Sequence, residues 1–490
     1  MSIRTRIAPS PTGSVHIGNL RTSLYDYALA KANNGQFILR IEDTDRERYI
    51  EGAVDKVLDL HEYMGLKWDE GPRVGGPYAP YIQSERLGIF KKHALKLIEK
   101  RHAYYCFCTK EQLEVSKKKQ RDSGIAATKY NKNCLELSED QVKKMLADGA
   151  EYVIRLNVPP NEEVTWKDEV YGEITVSTND LDDQILIKSD GFPTYHLAVV
   201  VDDHLMNVTH VMRGNDWIPS TPKHILLYRF FGWDLPLYIH LPNLREKEGN
   251  KKLSKRFGSV SVEEFLREGY LPEALLNFLM LLGWNPGTEK EIYSLEEFVV
   301  DFSIKGIQKT DLVCFDREKL LWFNGMYIRT LSDKALYNEI EKWAEKFDVD
   351  LVGKSFDRGY VEQVLSLVKE RMKFLGEYND LMAYFFEEPV VELDLLAKFA
   401  KEKSRAREIL SNYLKVFEEL PKNDWEMSTL DRLSHEKLEA FDYKPKEAFM
   451  TLRIAVTGKS ATPSLFDVLA LLGKEKCLKR LNSAIKLLPA

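Results

Sequence analysis

Two prolines, Pro9 and Pro11, decide what the stretch Ile7-Ala8-Pro9-Ser10-Pro11-Thr12-Gly13-Ser14-Val15-His16-Ile17-Gly18-Asn19 can become. Proline has no amide hydrogen and a fixed φ, so neither a central strand nor a helix interior runs through such a pair. The stretch reads as a short strand, a stiff turn and a helix, with His16 and Gly18 in its opening turn and Leu24, Tyr27 and Ala28 on one face behind them. Unpaired N–H groups and the helix dipole at such a start bind anions, and glycine lets a ligand approach closely. The stretch therefore predicts a nucleotide site, although His16 taken by itself reads better as a satisfied structural histidine.

At 490 residues the chain exceeds one ordinary core, and 44% hydrophobic with 30% charged residues suits a soluble protein of several domains. The net charge of -6 excludes a uniformly basic nucleic-acid coat, so any such contact is local. The apolar stretch from Ala274 to Trp284 is too short to span a bilayer, and Met1-Ser2-Ile3-Arg4 leads on without an apolar leader; no membrane association and a cytoplasmic location are expected. Neither a Gly-x-Gly-x-x-Gly nor a Gly-x-x-x-x-Gly-Lys-Ser/Thr motif is present, which argues against a dinucleotide dehydrogenase and a P-loop NTPase.

Gln36 to Ile41 reads as a strand ending in Glu42-Asp43-Thr44-Asp45, either a solvated acidic loop or a cluster placed at a site beyond the strand's carboxyl end. Helical patterns from Val54 to Met64 and from Glu85 to Lys100 follow, and this alternation predicts a parallel sheet. From about residue 102 aromatics, cysteines, the basic run Lys117 to Arg121 and β-prone segments at Tyr152 to Val158 and Glu173 to Ser177 suggest an inserted domain. The α/β pattern resumes at Gly191 to Ala198 and at Val208 to Met212, which delivers Arg213 to a strand end. Beyond the basic run Lys252-Leu253-Ser254-Lys255-Arg256 the chain reads as mostly helical, without a convincing strand after about residue 325 and with a 3.6-residue period through Val361, Val364, Leu365, Val368, Met372 and Leu375. Ser464 gives a capping signal before an apolar helix stopped by Gly473. From Lys437 onward ten Lys and Arg stand against five Asp and Glu, a solvated face or an RNA surface.

Ala-Pro-Ser-Pro-Thr-Gly followed by His-x-Gly, with Lys-Leu-Ser-Lys far downstream in an interrupted α/β fold, resembles the class I aminoacyl-tRNA synthetases. Arg6 to Gly13, Arg40 to Asp45, Lys188 to Ala198 and Leu275 to Gly283 look more closely like the bacterial glutamyl-tRNA synthetases, in the same order from residue 3 to about 485. The resemblance implies a Rossmann-like parallel-sheet catalytic domain in two halves (1–85 and 191–245), split by an inserted α+β acceptor-stem domain (86–190). A stem-contact linker domain (246–324) and an all-helical anticodon-binding region (325–490, broken near 378) would follow. The implied reaction forms glutamyl-adenylate from ATP and L-glutamate, with tRNA already bound, and passes glutamate to the terminal adenosine of tRNA(Glu). Glutamate transfer to tRNA(Gln) stays open beside it, and a monomer is expected.

What the resemblance implies for residues follows motif by motif. His16, Gly18, Lys252 and Lys255 would be catalytic, and Asp216, Leu244, Leu253, Ser254 and Arg256 would join them around ATP and its Mg2+. Arg6, Ile7, Ala8, Ser10, Glu42, Tyr195 and Arg213 would hold glutamate, arginine taking the side-chain carboxylate and Glu42 the α-ammonium; Arg6 and Glu42 pairing only with each other is the structural alternative. Val199 departs from the family, many of whose members have Asn there. Arg371, Arg453 and Thr462 would meet the anticodon. Cys106, Cys108, Tyr130 and Cys134 fit a structural Zn2+ site that some members carry, and small buried cysteines are the alternative.

Overall fold

The computed structural model describes residues 2–125, 127–247, 253 and 260–489. They form two compact units, one of residues up to 265 with 275–316, the other of 266–274 with 317–490.

The first unit opens with β1 (Arg4–Ile7), α1 (Ile17–Ala32) and β2 (Gln36–Leu39), and the two strands pair in parallel. Leu20, Leu24 and Ala28 recur at helical spacing on α1 and are fully buried, which holds the helix against the sheet. Next come α2 (Ala53–Tyr63) and α3 (Leu87–Glu99), a 3-10 turn at Gln83–Arg86 occupying the start of the longer helix that the sequence pattern suggests.

The segment after α3 carries β3 (Ala103–Cys106), α4 (Lys110–Asp122), α5 (Glu139–Ala147), β4 (Val153–Leu156), β5 (Glu163–Asp168), β6 (Gly172–Ser177) and β7 (Ile185–Ile187). β3, β4 and β7 make an antiparallel sheet, and β5 and β6 an antiparallel hairpin. The chain then returns through α6 (Tyr195–Leu205), β8 (His210–Gly214), α7 (Thr221–Phe231) and β9 (Leu237–Leu241), with β8 and β9 parallel. The Thr209 amide donates to the Arg4 carbonyl at 3.0 Å, and the Arg4 amide to the Thr209 hydroxyl at 2.8 Å, so the second half-sheet lies beside β1. The hairpin meets that half at its far edge, where Asp168 of β5 pairs in parallel with Tyr238 of β9.

One continuous core joins Phe90 and Leu97 of α3, Ile154 and Trp166 of the intervening strands, and Leu197, Val200 and Val201 of α6. The α+β segment therefore shares its apolar interior with the parallel sheet. A last parallel pair, β10 (Asn243–Glu246) and β11 (Leu312–Phe315), completes the unit.

The second unit is helical among its described residues, from Arg317–Thr330 to Lys474–Leu487. Its apolar stripe is buried, but the helix ends at Val368, and Met372 and Leu375 continue the stripe from beyond two short turns. The helix Leu465–Leu472 stops at Gly473, whose φ of 83° suits glycine; Ser464 occupies the cap position without a side-chain bond to the helix. No described helix is long and apolar enough to cross a membrane.

Candidate active site

The carboxyl ends of β1, β2 and β8 open onto a cleft of about 770 Å³. All seven residues expected around glutamate line it: Arg6, Ile7, Ala8, Ser10, Glu42, Tyr195 and Arg213, with Asn19 on its wall. Ligands of open α/β sheets bind at this edge because strand ends and helix starts converge there.

Arg6 and Glu42 do not pair with each other. Arg6 donates from Nε to Asp203 at 3.2 Å and from Nη1 to the Met212 carbonyl at 3.2 Å. Glu42 accepts from Arg40 Nη2 at 3.0 Å, while Arg40 Nη1 donates to Asp203 at 2.7 Å. Arg40 and Asp203 thus stand between the two, both buried, and orient one cation and one carboxylate toward the same space. Burial pushes the Glu42 carboxyl up to about 7, with Arg40 and then Arg6 limiting the rise. Behind them, burial holds the Asp26 carboxyl well above its usual range, and Arg6 offsets this in part.

Arg213 is held on the opposite wall. Its Nε donates to His240 at 3.2 Å, Nη1 to His224 at 3.1 Å and Nη2 to Thr221 at 2.8 Å. Guanidinium has five N–H groups, so each terminal nitrogen keeps one more, that on Nη1 reaching Tyr195 Oη only at 3.5 Å. This remaining pair forms a fork of the kind that binds a carboxylate bidentately.

At the first helix, His16 is the N-cap and its Nδ1 accepts the Gly18 amide at 3.0 Å. A Cβ on residue 18 would stand 3.1 Å from that nitrogen, so glycine is what lets the ring fold over the helix start. Lys252, Ser254, Lys255 and Arg256 lie outside the described residues, but the chain on both sides of them is anchored. Leu253 donates to the Leu244 carbonyl at 2.8 Å, Ile17 to Val260 at 2.9 Å, and Val262 to Val15 at 3.0 Å. Leu244 and Leu253 are buried, and Asp216 folds over Gly214, where a Cβ would meet its carboxylate at 2.5 Å. His16, Gly18, Asp216 and Leu244 are not on the lining of the cleft that holds Arg6 and Arg213. Val199 is a residue of α6 and its side chain is buried in the core.

The three cysteine sulfurs lie within 4.8 Å of one another, Cys108 Sγ being 3.5 Å from Cys134 Sγ and 3.3 Å from Tyr130 Oη. Ligands on a tetrahedral zinc with bonds of about 2.0–2.3 Å are separated by roughly 3.3–3.8 Å, so the donor set and its spacing fit a metal ion. The Cys134 thiol, with Tyr130 and Arg155 assisting, holds Cys106 well below the usual thiol range against the effect of burial. Arg155 also lies 4.3 Å over the Tyr130 ring.

In the helical unit Arg453 donates to the Thr462 carbonyl at 3.2 Å and contacts the Thr462 hydroxyl and Pro463 carbonyl. Burial, and then the positive charge of exposed Arg371, lower the Arg453 pKa, so the three residues expected at the anticodon share one corner. Tyr384 belongs there too: burial raises its pKa, both arginines oppose the rise, and its buried hydroxyl has no hydrogen-bond partner among the described residues.

The family described as tRNA synthetases class I (E and Q), catalytic domain, matches residues 2–322, and one described as an anticodon binding domain matches residues 335–485. The chain belongs to the class I glutamyl- and glutaminyl-tRNA synthetase family. It is 43% identical over 487 residues to a glutamate–tRNA ligase of Clostridium kluyveri, covering 99% of this chain and 98% of that one. A glutamate–tRNA ligase of Clostridium botulinum is 44% identical over 489 residues, covering 99% of each. Among solved structures, the glutamate tRNA ligase of Elizabethkingia meningosepticum in complex with its amino acid superposes with a TM-score of 0.87 at 35% identity, covering 100% of both chains.

Arg40, Asp203, His240, Asp168 and Tyr384 were not singled out from the sequence. One signal was available for Asp203. A helix as apolar as Leu197 to Val201 that continues into Asp202-Asp203 must bring those carboxylates to buried cations, and Arg86 and Arg40 meet them.

Proposed function

We propose that the chain is a glutamate–tRNA ligase that joins L-glutamate to ATP as glutamyl-adenylate, releases pyrophosphate, and passes glutamate to the 3'-terminal adenosine of tRNA(Glu). The observation that carries this reading is the pair Arg6 and Arg213 facing one cleft, each held by buried partners, with Glu42 on the same lining. Two guanidinium groups select a side-chain carboxylate over an amide, because the amide leaves a buried cation short of its partner.

No protein nucleophile is required; the glutamate α-carboxylate attacks the α-phosphorus of ATP. Catalysis then rests on positioning and on cations where pyrophosphate charge develops. His16 at the start of the first helix holds the triphosphate from one side, and Lys252 and Lys255 from the other; the amides of Ile17, Gly18, Asn19 and Leu20 are already bonded within the protein. Mg2+ accompanies ATP, held mainly by phosphates and water. A structural Zn2+ on Cys106, Cys108, Tyr130 and Cys134 would brace the inserted segment 86–190 against the acceptor arm. Residues 246–324 would meet the inner stem, and 325–490, through Arg371, Arg453 and Thr462, the anticodon. The ligase works as a cytoplasmic monomer in this reading.

Charging purified tRNA(Glu) and tRNA(Gln) separately, with radiolabelled glutamate and glutamine, tests it. Glutamate is expected on tRNA(Glu) and glutamine on neither; glutamine transfer would overturn the substrate assignment. Lys255→Ala is expected to slow tRNA-dependent ATP–pyrophosphate exchange about 100- to 1,000-fold, as loss of a transition-state charge contact does, and an unchanged rate would remove the proposed triphosphate clamp.

A further inference from the structure

Arg213 ends a buried chain of hydrogen bonds whose proton positions are fixed by what each group can donate. Arginine only donates, so His240 Nε2, 3.2 Å from Arg213 Nε, must accept with its lone pair. The proton of His240 is then on Nδ1, which faces Asp168 Oδ2 at 2.6 Å. The other oxygen of Asp168 accepts the Val170 and Tyr171 amides at 3.0 and 2.9 Å, so the carboxylate cannot turn away. A second branch obeys the same rule. His224 Nδ1 accepts from Arg213 Nη1, leaving its proton on Nε2, which faces His196 Nδ1 at 3.0 Å. Asp168 and His240 are fully buried, and burial lowers the pKa of His240, His224 and His196, in keeping with neutral rings.

We infer that Asp168 and His240 are positioning residues for glutamate selection: Asp168 locks the His240 tautomer, and the locked ring turns Arg213 so that its two remaining N–H groups face the cleft. This inference rests on the reading of Arg213 as a receiver of the substrate carboxylate. A guanidinium bonded only to Thr221 and His224 could pivot about the side-chain torsions that carry it, and the planar fork would lose the orientation that bidentate recognition needs. Asp168 lies at the end of β5, so a residue of the inserted hairpin controls the orientation of a cleft arginine held on β8.

The test substitution is Asp168→Asn. The Val170 and Tyr171 amides demand an oxygen at the Oδ1 position, so the new NH2 group must face His240 Nδ1. That nitrogen then becomes the acceptor and the ring proton moves to Nε2, where it opposes the Arg213 Nε–H. A buried Asp-to-Asn change that reverses an imidazole tautomer keeps the shape and loses the function.

In the full-length protein with tRNA(Glu), Asp168→Asn is expected to raise the glutamate KM about 10- to 100-fold, the loss of one hydrogen bond to a charged group, with the ATP KM within about twofold. Imidazole 15N spectra should place the His240 proton on Nδ1 in the unaltered protein and on Nε2 in the variant. A folded Asp168→Asn protein with an unchanged glutamate KM overturns the inference. So does an unaltered protein whose His240 carries its proton on Nε2, a measurement that decides the matter even if the variant does not fold. Arg213→Ala separates this from the reading beneath it: if that change leaves the glutamate KM untouched, Arg213 is not the carboxylate receiver; if it raises KM while Asp168→Asn does not, only the positioning role is lost.

Discussion

The Ile17 amide donates to the Val260 carbonyl at 2.9 Å, and this bond joins the opening turn of α1 to the chain that follows the Lys-Leu-Ser-Lys-Arg run. Glu263 reinforces it, accepting from the Val15 amide at 3.2 Å and the Ser261 hydroxyl at 2.6 Å. Removing this carboxylate takes an acceptor away from the Val15 amide and from the Ser261 hydroxyl. Glu263→Ala is therefore expected to lower stability by about 1–3 kcal/mol. It should also slow tRNA-dependent ATP–pyrophosphate exchange while sparing the glutamate KM, because the glutamate cleft lies elsewhere. Urea denaturation and exchange kinetics check both parts.

With Glu42 receiving the α-ammonium, as proposed, glutamate capture is expected to depend on pH. Burial raises its carboxyl to about 7 in the free protein, whereas a bound ammonium favours the ionised form. The glutamate KM is expected to rise as pH falls from about 8 to 6, and binding near neutrality to release a proton, visible by calorimetry in buffers of different ionisation enthalpy. Glu42→Gln should raise KM about 10- to 100-fold and flatten its dependence on pH. For the unliganded fold the sign is opposite. A folded-state pKa above the ordinary carboxyl value of 4.5 contributes stability below that value and loses it as pH rises toward 7.

The cysteine cluster predicts about one tightly held zinc per chain by elemental mass analysis. Cys108 Sγ lies 3.5 Å from Cys134 Sγ and 3.3 Å from Tyr130 Oη, so Cys108→Ser should bring the metal content well below stoichiometric. The folding energy of such a site resides in the metal bonds, so the same change should expose residues 107–137 to proteolysis first. Full zinc retention by the variant would remove the site.

How much of this was legible beforehand follows from the range over which each signal acts. The strand–turn–helix at Pro9 and Pro11, the helical C-terminal half and the seven cleft residues follow from local pattern and from motifs in chain order. Buried pairing does not. Arg40 meets Asp203 across 163 positions and His240 meets Asp168 across 72, and no periodicity marks such partners. The Arg6–Glu42 alternative fails because Asp203 and Arg40 stand closer to each. Local energetics explain the smaller departures: the stripe at Met372 and Leu375 is kept by packing after the helix has ended, since burial depends on position and not on backbone state.

In the helical unit the charge of Arg371 lowers the pKa of Arg453, second to burial. Such a corner favours an incoming anion or an electron-rich base edge, and arginine can both bond and stack there. Arg371→Ala and Arg453→Ala are each expected to raise the tRNA(Glu) KM about 10-fold or more while leaving kcat at saturating tRNA near the parent value. Tyr384 sharpens the test. Its buried hydroxyl has no hydrogen-bond partner among the described residues, so Tyr384→Phe should be neutral or stabilising in thermal denaturation. If RNA supplies the missing partner, the same variant must weaken tRNA(Glu) binding, which filter binding at fixed salt measures. A stabilised Tyr384→Phe protein with unaltered tRNA affinity would confine Tyr384 to packing and leave the two arginines alone at the anticodon.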